Sequence, residues 1–234
     1  MTNSINIDEI KKFESMAEEW WDPLGKFKPL HKFNPIRLEY ITKQIDLNFS
    51  KKNITLLDIG CGGGLMAEPL SKNGIKVTAI DPSNKNINIA KAHQKKSKTK
   101  VEYIHTTLEE LDIKNKYDVI ICLEVVEHVD NPSEFLLLME KHLNKNGIIF
   151  IATINRTYKS LFCAKFAAEY ILNWLPQGTH QYSKFLKPHE INNMLKEKLN
   201  LIAQKGMKYN LFKDCWNLTE DLSQNYIMTF KKSK

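Results

Sequence analysis

A run of glycines behind an acid, Asp58-Ile59-Gly60-Cys61-Gly62-Gly63-Gly64, is the chain's most chemically suggestive stretch. Glycine lets backbone approach a ligand closely, because it lacks a Cβ and tolerates positive φ. A second acid, Asp81, lies 21 residues after Gly60, at the end of an apolar run. At that offset in an α/β sheet a carboxylate can accept the hydroxyls of an adenosine ribose. The dinucleotide fingerprint requires a third glycine where this chain has Leu65. Asp58 argues the same way: a pyrophosphate wants amides and no nearby anion, whereas a ligand carrying an ammonium suits an aspartate.

A second cluster, Glu124, Glu127 and His128, follows the apolar run Tyr117–Leu123. If a helix begins there, the i, i+3, i+4 spacing puts all three side chains on one face. Two carboxylates and an imidazole can bind a divalent ion, and an oxygen-rich set suits magnesium. Such an ion would polarise the oxygens of an acceptor. In a metal-free version His128 acts as the base beside Glu124. In a third reading the carboxylates simply favour the positive end of a helix and His128 is a packed side chain.

These residues need a frame, and the apolar pattern supplies one. Ile54–Ile59, Lys76–Ile80, Val101–His105, Tyr117–Leu123 and Gly147–Thr153 read as strands. Helical segments fall between them, from Leu65 to Asn73-Gly74, over Ser83–Lys96 and over Ser133–Leu143. Strands alternating with helices imply right-handed crossovers and an α/β fold, a doubly wound, mostly parallel sheet. Two apolar runs near the end, Leu201–Tyr209 and Tyr226–Phe230, suggest an antiparallel hairpin at its edge. Ahead of the sheet stands a helical leader, residues 1–50, that would cap the binding domain of residues 51–234. Phe13, Met16, Ala17, Trp20 and Trp21 recur at helical spacing in it, and Asp22-Pro23-Leu24-Gly25 breaks the run. The next helix is expected after Asn34, with Pro35 at its first position. The two tryptophans either wall a substrate pocket or anchor the leader to the core, the anchoring role being preferred.

Composition narrows the setting. The chain has 234 residues and a net charge of +7, which makes anionic partners worth considering. The excess is mostly dispersed lysine, no RNA-binding module appears, and no nucleic-acid partner is expected. The 4 cysteines, Cys61, Cys122, Cys163 and Cys215, never form a Cys-x-x-Cys pair. A thiolate zinc site and a disulfide framework are therefore not expected, and a reduced, cytoplasmic setting is. No apolar run has the length of a signal peptide or membrane span.

The pattern Asp-x-Gly-x-Gly-x-Gly resembles motif I of class I S-adenosylmethionine-dependent methyltransferases, which implies their Rossmann-like fold. Three further stretches narrow the resemblance. Phe13-Glu14-Ser15-Met16-Ala17-Glu18-Glu19-Trp20-Trp21-Asp22 leads into Phe27-Lys28-Pro29-Leu30-His31 and Asn34-Pro35-Ile36-Arg37. Glu124-Val125-Val126-Glu127-His128-Val129 follows, and then Ala168-Glu169-Tyr170-Ile171-Leu172 with Pro176-Gln177-Gly178-Thr179-His180. Together with the glycine loop these are similar to the ubiquinone biosynthesis O-methyltransferase family across nearly the whole chain.

That resemblance implies O-methylation of two catecholic ubiquinone precursors, 2-polyprenyl-6-hydroxyphenol and 3-demethylubiquinol. It also implies that Arg37, Gly60, Asp81 and Leu123 contact S-adenosylmethionine. The family often has Met at position 123, so Leu123 would give a backbone or apolar contact. Gly62 joins them as loop backbone. Residues 156–188 read as a lid or membrane-facing insertion. Within it the apolar helix expected at 158–175, with Phe162 and Phe166, would either pack on the sheet or over the active site, or meet the membrane surface as a peripheral contact. A ubiquinone-biosynthesis complex is a further possible partner. Two rival readings are a methyltransferase of RNA or another small molecule, and a non-catalytic S-adenosylmethionine-binding module. The second has no need of the Glu-x-x-Glu-His group.

Overall fold

In the computed structural model, residues 11, 14–50, 53–161 and 182–232 are described. Strands β1 (Thr55–Ile59), β2 (Lys76–Asp81), β3 (Val101–His105), β4 (Tyr117–Leu123) and β5 (Leu143–Ile154) lie parallel, with a helix in each connection except the loop from β3 to β4. β6 (Leu199–Asn210), β7 (Cys215–Thr219) and β8 (Asn225–Lys232) complete an eight-stranded sheet in the order β3-β2-β1-β4-β5-β8-β6-β7. The chain order reverses between β1 and β4, and a doubly wound sheet binds its ligand beyond the strand carboxyl ends at such a point.

Helices cover both faces, which is why the central strands are apolar throughout rather than alternating. On one face α1 (Lys28–Asn48), α2 (Ala67–Lys72) and α3 (Asn84–Ser97) bury Phe33, Ile41, Leu70 and Ile87 against Leu56, Ile121 and Phe150. On the other, α4 (Pro132–Lys141) and α5 (Pro188–Leu195) bury Leu136, Met139, Ile191 and Leu195 against Leu57, Ile120 and Ile149. Local chemistry sets the helix starts. The Ser83 hydroxyl accepts the amide of Asn86 ahead of α3, and the Asn131 side chain accepts that of Glu134 ahead of α4.

One sequence expectation of the fold needs correction, and the expected antiparallel edge gains detail. The second leader helix begins at Lys28 rather than Pro35, with Pro29 in its first turn and Pro35 inside it. Buried Phe33, Arg37, Tyr40, Ile41 and Ile45 line one side of a continuous helix, and that packing outweighs the backbone bond Pro35 forgoes. The two terminal runs do pair antiparallel, but as neighbours β6 and β8, with β8 placed between β6 and β5. A strand the sequence pattern did not reveal, β7, closes the edge, and Trp216 from it stacks on Phe33 of α1 at 3.9 Å. Helix α5 was likewise absent from the pattern. Among the described residues no helix is long and apolar enough to cross a membrane. Most of the apolar helix expected at 158–175, and Gly178-Thr179-His180, lie outside the described residues.

Candidate active site

The glycine loop leaves β1 and docks on the end of β2. The amides of Gly60 and Cys61 both donate to the Ile80 carbonyl, at 2.9 and 3.0 Å. Gly60, Gly62 and Gly64 have φ of 70°, 53° and 90°, where a side chain is strained. The Gly62 amide donates to Asp81 Oδ2 at 2.9 Å, while Asp81 Oδ1 accepts from Ser83 N at 2.9 Å and Asn86 Nδ2 at 3.1 Å. Burial pushes the Asp81 carboxyl upward, against the pull of these three donors. Its carboxylate is thus held rigidly beside the loop, with one lone pair on Oδ2 uncommitted.

Asp58 sits one strand inward, at the end of β1. It is buried, and its Oδ2 has no hydrogen-bond partner among the described residues. Desolvation first, and the Asp81 charge second, raise its carboxyl to about 7. A buried acceptor without a donor is costly, and an ammonium is the donor that would relieve it. The Tyr103 hydroxyl, pressed against Gly64, is likewise buried without a partner among the described residues.

Arg37 reaches the site from α1. Its side chain is buried, its guanidinium lies 3.5 Å from the Phe33 ring centroid, and it donates to Asn34 Oδ1 at 3.2 Å and to Glu124. Arg37 Nε is left without a partner among the described residues. An orphaned acceptor on Asp58, an orphaned donor on Arg37 and the rigid Asp81 carboxylate match the ammonium, carboxylate and ribose of S-adenosylmethionine. The donor set therefore fits that cofactor.

Leu123, Glu124, Glu127 and His128 stand at the end of β4, but not on a helix face. Glu124 has φ 56°, the turn Val126–His128 is 3-10, and the next α-helix starts only at Pro132. The expected i, i+3, i+4 face is therefore corrected: a sharp turn follows the strand. The residues remain neighbours. Burial and the nearby Glu127 charge raise the Glu124 carboxyl to about 7 despite the opposing pull of Arg37. Glu127 is 3% exposed and neither of its oxygens has a donor among the described residues. As they stand, no three His, Cys, Asp or Glu side chains among the described residues form a ready metal cage. A buried carboxylate lacking donors beside a second carboxylate is nonetheless the chemistry that a divalent cation satisfies.

The anchoring role preferred for the tryptophans holds, but two participants were not placed at the glycine loop and Asp81 from sequence. Trp20 is 7% exposed, stacks on Phe27 at 3.7 Å and lies over the glycine loop. A Cβ placed on Gly63 would lie 2.5 Å from Trp20 Cβ and Cγ, so Gly63 makes room for the leader. Trp21 donates from Nε1 to the Gly63 carbonyl at 2.8 Å and stacks on His93 at 3.4 Å. Both tryptophans anchor the leader. Asn86, in the first turn of α3, is the second participant. Its position five residues after Asp81 was the available signal. Val125, which crowds Gly60, is a further loop contact unforeseen from sequence.

The family profile described as "Methyltransferase domain" matches residues 30–201. The chain is 51% identical to the ubiquinone biosynthesis O-methyltransferase of Pelagibacter ubique, over 99% of this chain and 100% of that one. It is 45% identical to the protein of the same name from Rickettsia typhi, over 98% and 94%. Its fold is similar to magnesium protoporphyrin IX methyltransferase of Synechocystis bound to S-adenosylhomocysteine, with a TM-score of 0.67 at 16% identity, covering 97% and 94%. An N-methyltransferase of Bradyrhizobium japonicum in complex with the same ligand aligns at 0.65 and 14%, covering 97% and 99%.

Proposed function

The chain belongs to the ubiquinone biosynthesis O-methyltransferase family of S-adenosylmethionine-dependent enzymes, and we propose that it methylates the catecholic hydroxyls of 2-polyprenyl-6-hydroxyphenol and 3-demethylubiquinol. The observation that carries the reading is the set of incompletely partnered groups around the strand carboxyl ends. Asp58 Oδ2, Arg37 Nε and the Glu127 carboxylate are buried with nothing to satisfy them among the described residues. Burial of such groups is costly unless a ligand completes them.

S-adenosylmethionine supplies an activated methyl group. The protein's residues hold it and ready the acceptor. Asp81 accepts a ribose hydroxyl on its remaining Oδ2 lone pair, and the loop backbone from Gly60 to Gly62 lines the approach. Asp58 accepts from the ammonium, Arg37 Nε donates to the carboxylate, and Leu123 gives an apolar contact. In the metal-free version, His128 takes the proton of the catechol hydroxyl at a ring nitrogen as the oxygen becomes nucleophilic. Glu124, Glu127 and His128 would hold a magnesium ion, which would supply Lewis acidity to the catechol oxygens. The greasy tail of such a substrate calls for access to a membrane surface, and residues 158–175 supply the apolar stretch for peripheral contact.

Incubation with methyl-labelled S-adenosylmethionine and a short-tailed demethylubiquinol tests the proposal. Label recovered in the quinol supports it, and cofactor binding with no transfer to either catechol overturns it. Co-sedimentation with anionic liposomes tests the membrane contact. Binding should fall when Phe162 and Phe166 are replaced by Asp, and unchanged binding removes it.

A further inference from the structure

The Asp81 carboxylate is oriented through a buried chain that ends in the leader. Trp20 Nε1 donates to Asn86 Oδ1 at 2.9 Å, and Asn86 Nδ2 donates to Asp81 Oδ1 at 3.1 Å. Asn86 is 4% exposed, so its amide has no water to fall back on. An indole N–H is a donor only. It obliges Asn86 to turn its oxygen toward the leader and hence its NH2 toward the acid. Without that N–H the amide can flip, and a flipped amide sets oxygen against a carboxylate oxygen. The chain therefore has a polarity, and the leader fixes it.

The remaining bonds complete the logic. Asp81 Oδ1 is filled by Ser83 N and Asn86 Nδ2, and Oδ2 takes one bond from Gly62 N. The oxygen offered to a ribose is thus Oδ2. A second tie runs parallel to the first, since the Ser83 hydroxyl donates to Glu14 of the leader at 2.8 Å. Each tie joins the leader to the turn that carries Asp81.

We propose that Asn86 and Trp20 are positioning residues for cofactor recognition, linking leader docking to the presentation of Asp81. The inference rests on the reading of Asp81 as the ribose acceptor. Because coupling between two equilibria is reciprocal, cofactor binding should in turn tighten the leader.

Calorimetric titration with S-adenosylhomocysteine and with its 2′,3′-dideoxyribose analogue tests this on the full chain. The wild type should prefer the hydroxylated ligand. Asn86→Ala should lose about tenfold in affinity for S-adenosylhomocysteine, the loss expected for a hydrogen bond to a charged group, and little for the analogue. Trp20→Phe keeps the ring and removes the N–H, and it should reproduce the selective loss. The double variant should bind no more weakly than Asn86→Ala alone. Saturating S-adenosylhomocysteine should slow tryptic cleavage at Lys26 in the wild type and lose that effect in both single variants. Variants that melt lower but keep the wild-type preference between the two ligands would overturn the positioning role. A wild type that binds both ligands equally would instead overturn the ribose role of Asp81.

Discussion

Replacing Gly63 by Ala separates the leader's demand on the glycine loop from the ligand's. Gly63 does not have the positive φ of Gly60, Gly62 and Gly64, so a methyl group there meets no backbone penalty. It meets Trp20 instead, at 2.5 Å from Cβ and Cγ and 2.9 Å from Cδ2. Carbon contacts settle near ~3.5–4.0 Å, so the indole must retreat by about 1 Å. It has little room, being stacked on Phe27 at 3.7 Å and hydrogen-bonded to Asn86. If the leader yields, the cost is that of overpacking, ~1–3 kcal/mol. If the indole is expelled, the cost approaches the ~3–5 kcal/mol of losing a buried tryptophan. About 3 kcal/mol is the expected value, a fall in Tm of about 6–12 °C for a chain of this size. The control is the same substitution in a Trp20→Gly background, where nothing stands opposite the new methyl. There Gly63→Ala should be nearly neutral, and differential scanning calorimetry of the four proteins gives the coupling. A loss below about 1 kcal/mol in the wild type, or an equal loss in both backgrounds, would refute the assignment of Gly63 to the leader.

Asp58 predicts a pH dependence. Its folded pKa of about 7 lies above the ordinary 3.8, so the folded chain holds a proton that the unfolded chain has released. That contribution to stability is present below about 4 and is lost as pH rises toward 7. An ammonium ligand favours the ionised form, so S-adenosylhomocysteine should bind more tightly as pH rises from 5.5 to 7.5, releasing a proton. Calorimetry in buffers of differing ionisation enthalpy reads this, and Asp58→Asn should abolish both effects. Arg37→Gln leaves the half-buried Glu124 without its cation and should cost, in urea unfolding, more than the ~1 kcal/mol of an exposed pair and less than the ~3–5 kcal/mol of a fully buried one, least where Glu124 can protonate. If stability holds within about 1 kcal/mol, the pair is not a structural one. Glu127→Gln replaces a carboxylate lacking donors with a neutral isostere and should leave folding within about 1 kcal/mol. After chelation, magnesium should restore transfer in the wild type and not in this variant. Chelator-resistant transfer in the wild type would remove the metal and leave His128 as the base.

The sequence determined the parts that local pattern encodes. Strands β1 to β4 appear within a residue of the expected positions, because helices on both faces make the central strands short, mostly apolar runs, while β3 at the edge alternates between buried and exposed. The glycine loop and Asp81 were legible because a tight strand-to-helix turn needs positive φ at fixed positions. Pro35 misled the reading of α1, since a proline's local preference was outweighed by packing with residues far along the chain, Trp216 among them. The turn at Glu124 erased the expected helix face while keeping its residues adjacent. What only the tertiary structure decided was which demand each residue answers. Gly63 looks in sequence like its neighbouring glycines, yet it has no positive φ and, with Gly62, makes room for Trp20, a residue 43 positions before it. Asn86 resembles any polar residue early in a helix until Trp20 and Asp81 close on its two ends. Steric fit and hydrogen-bond polarity are properties of pairs in space, and spacing along the chain carries no record of which distant partner will arrive.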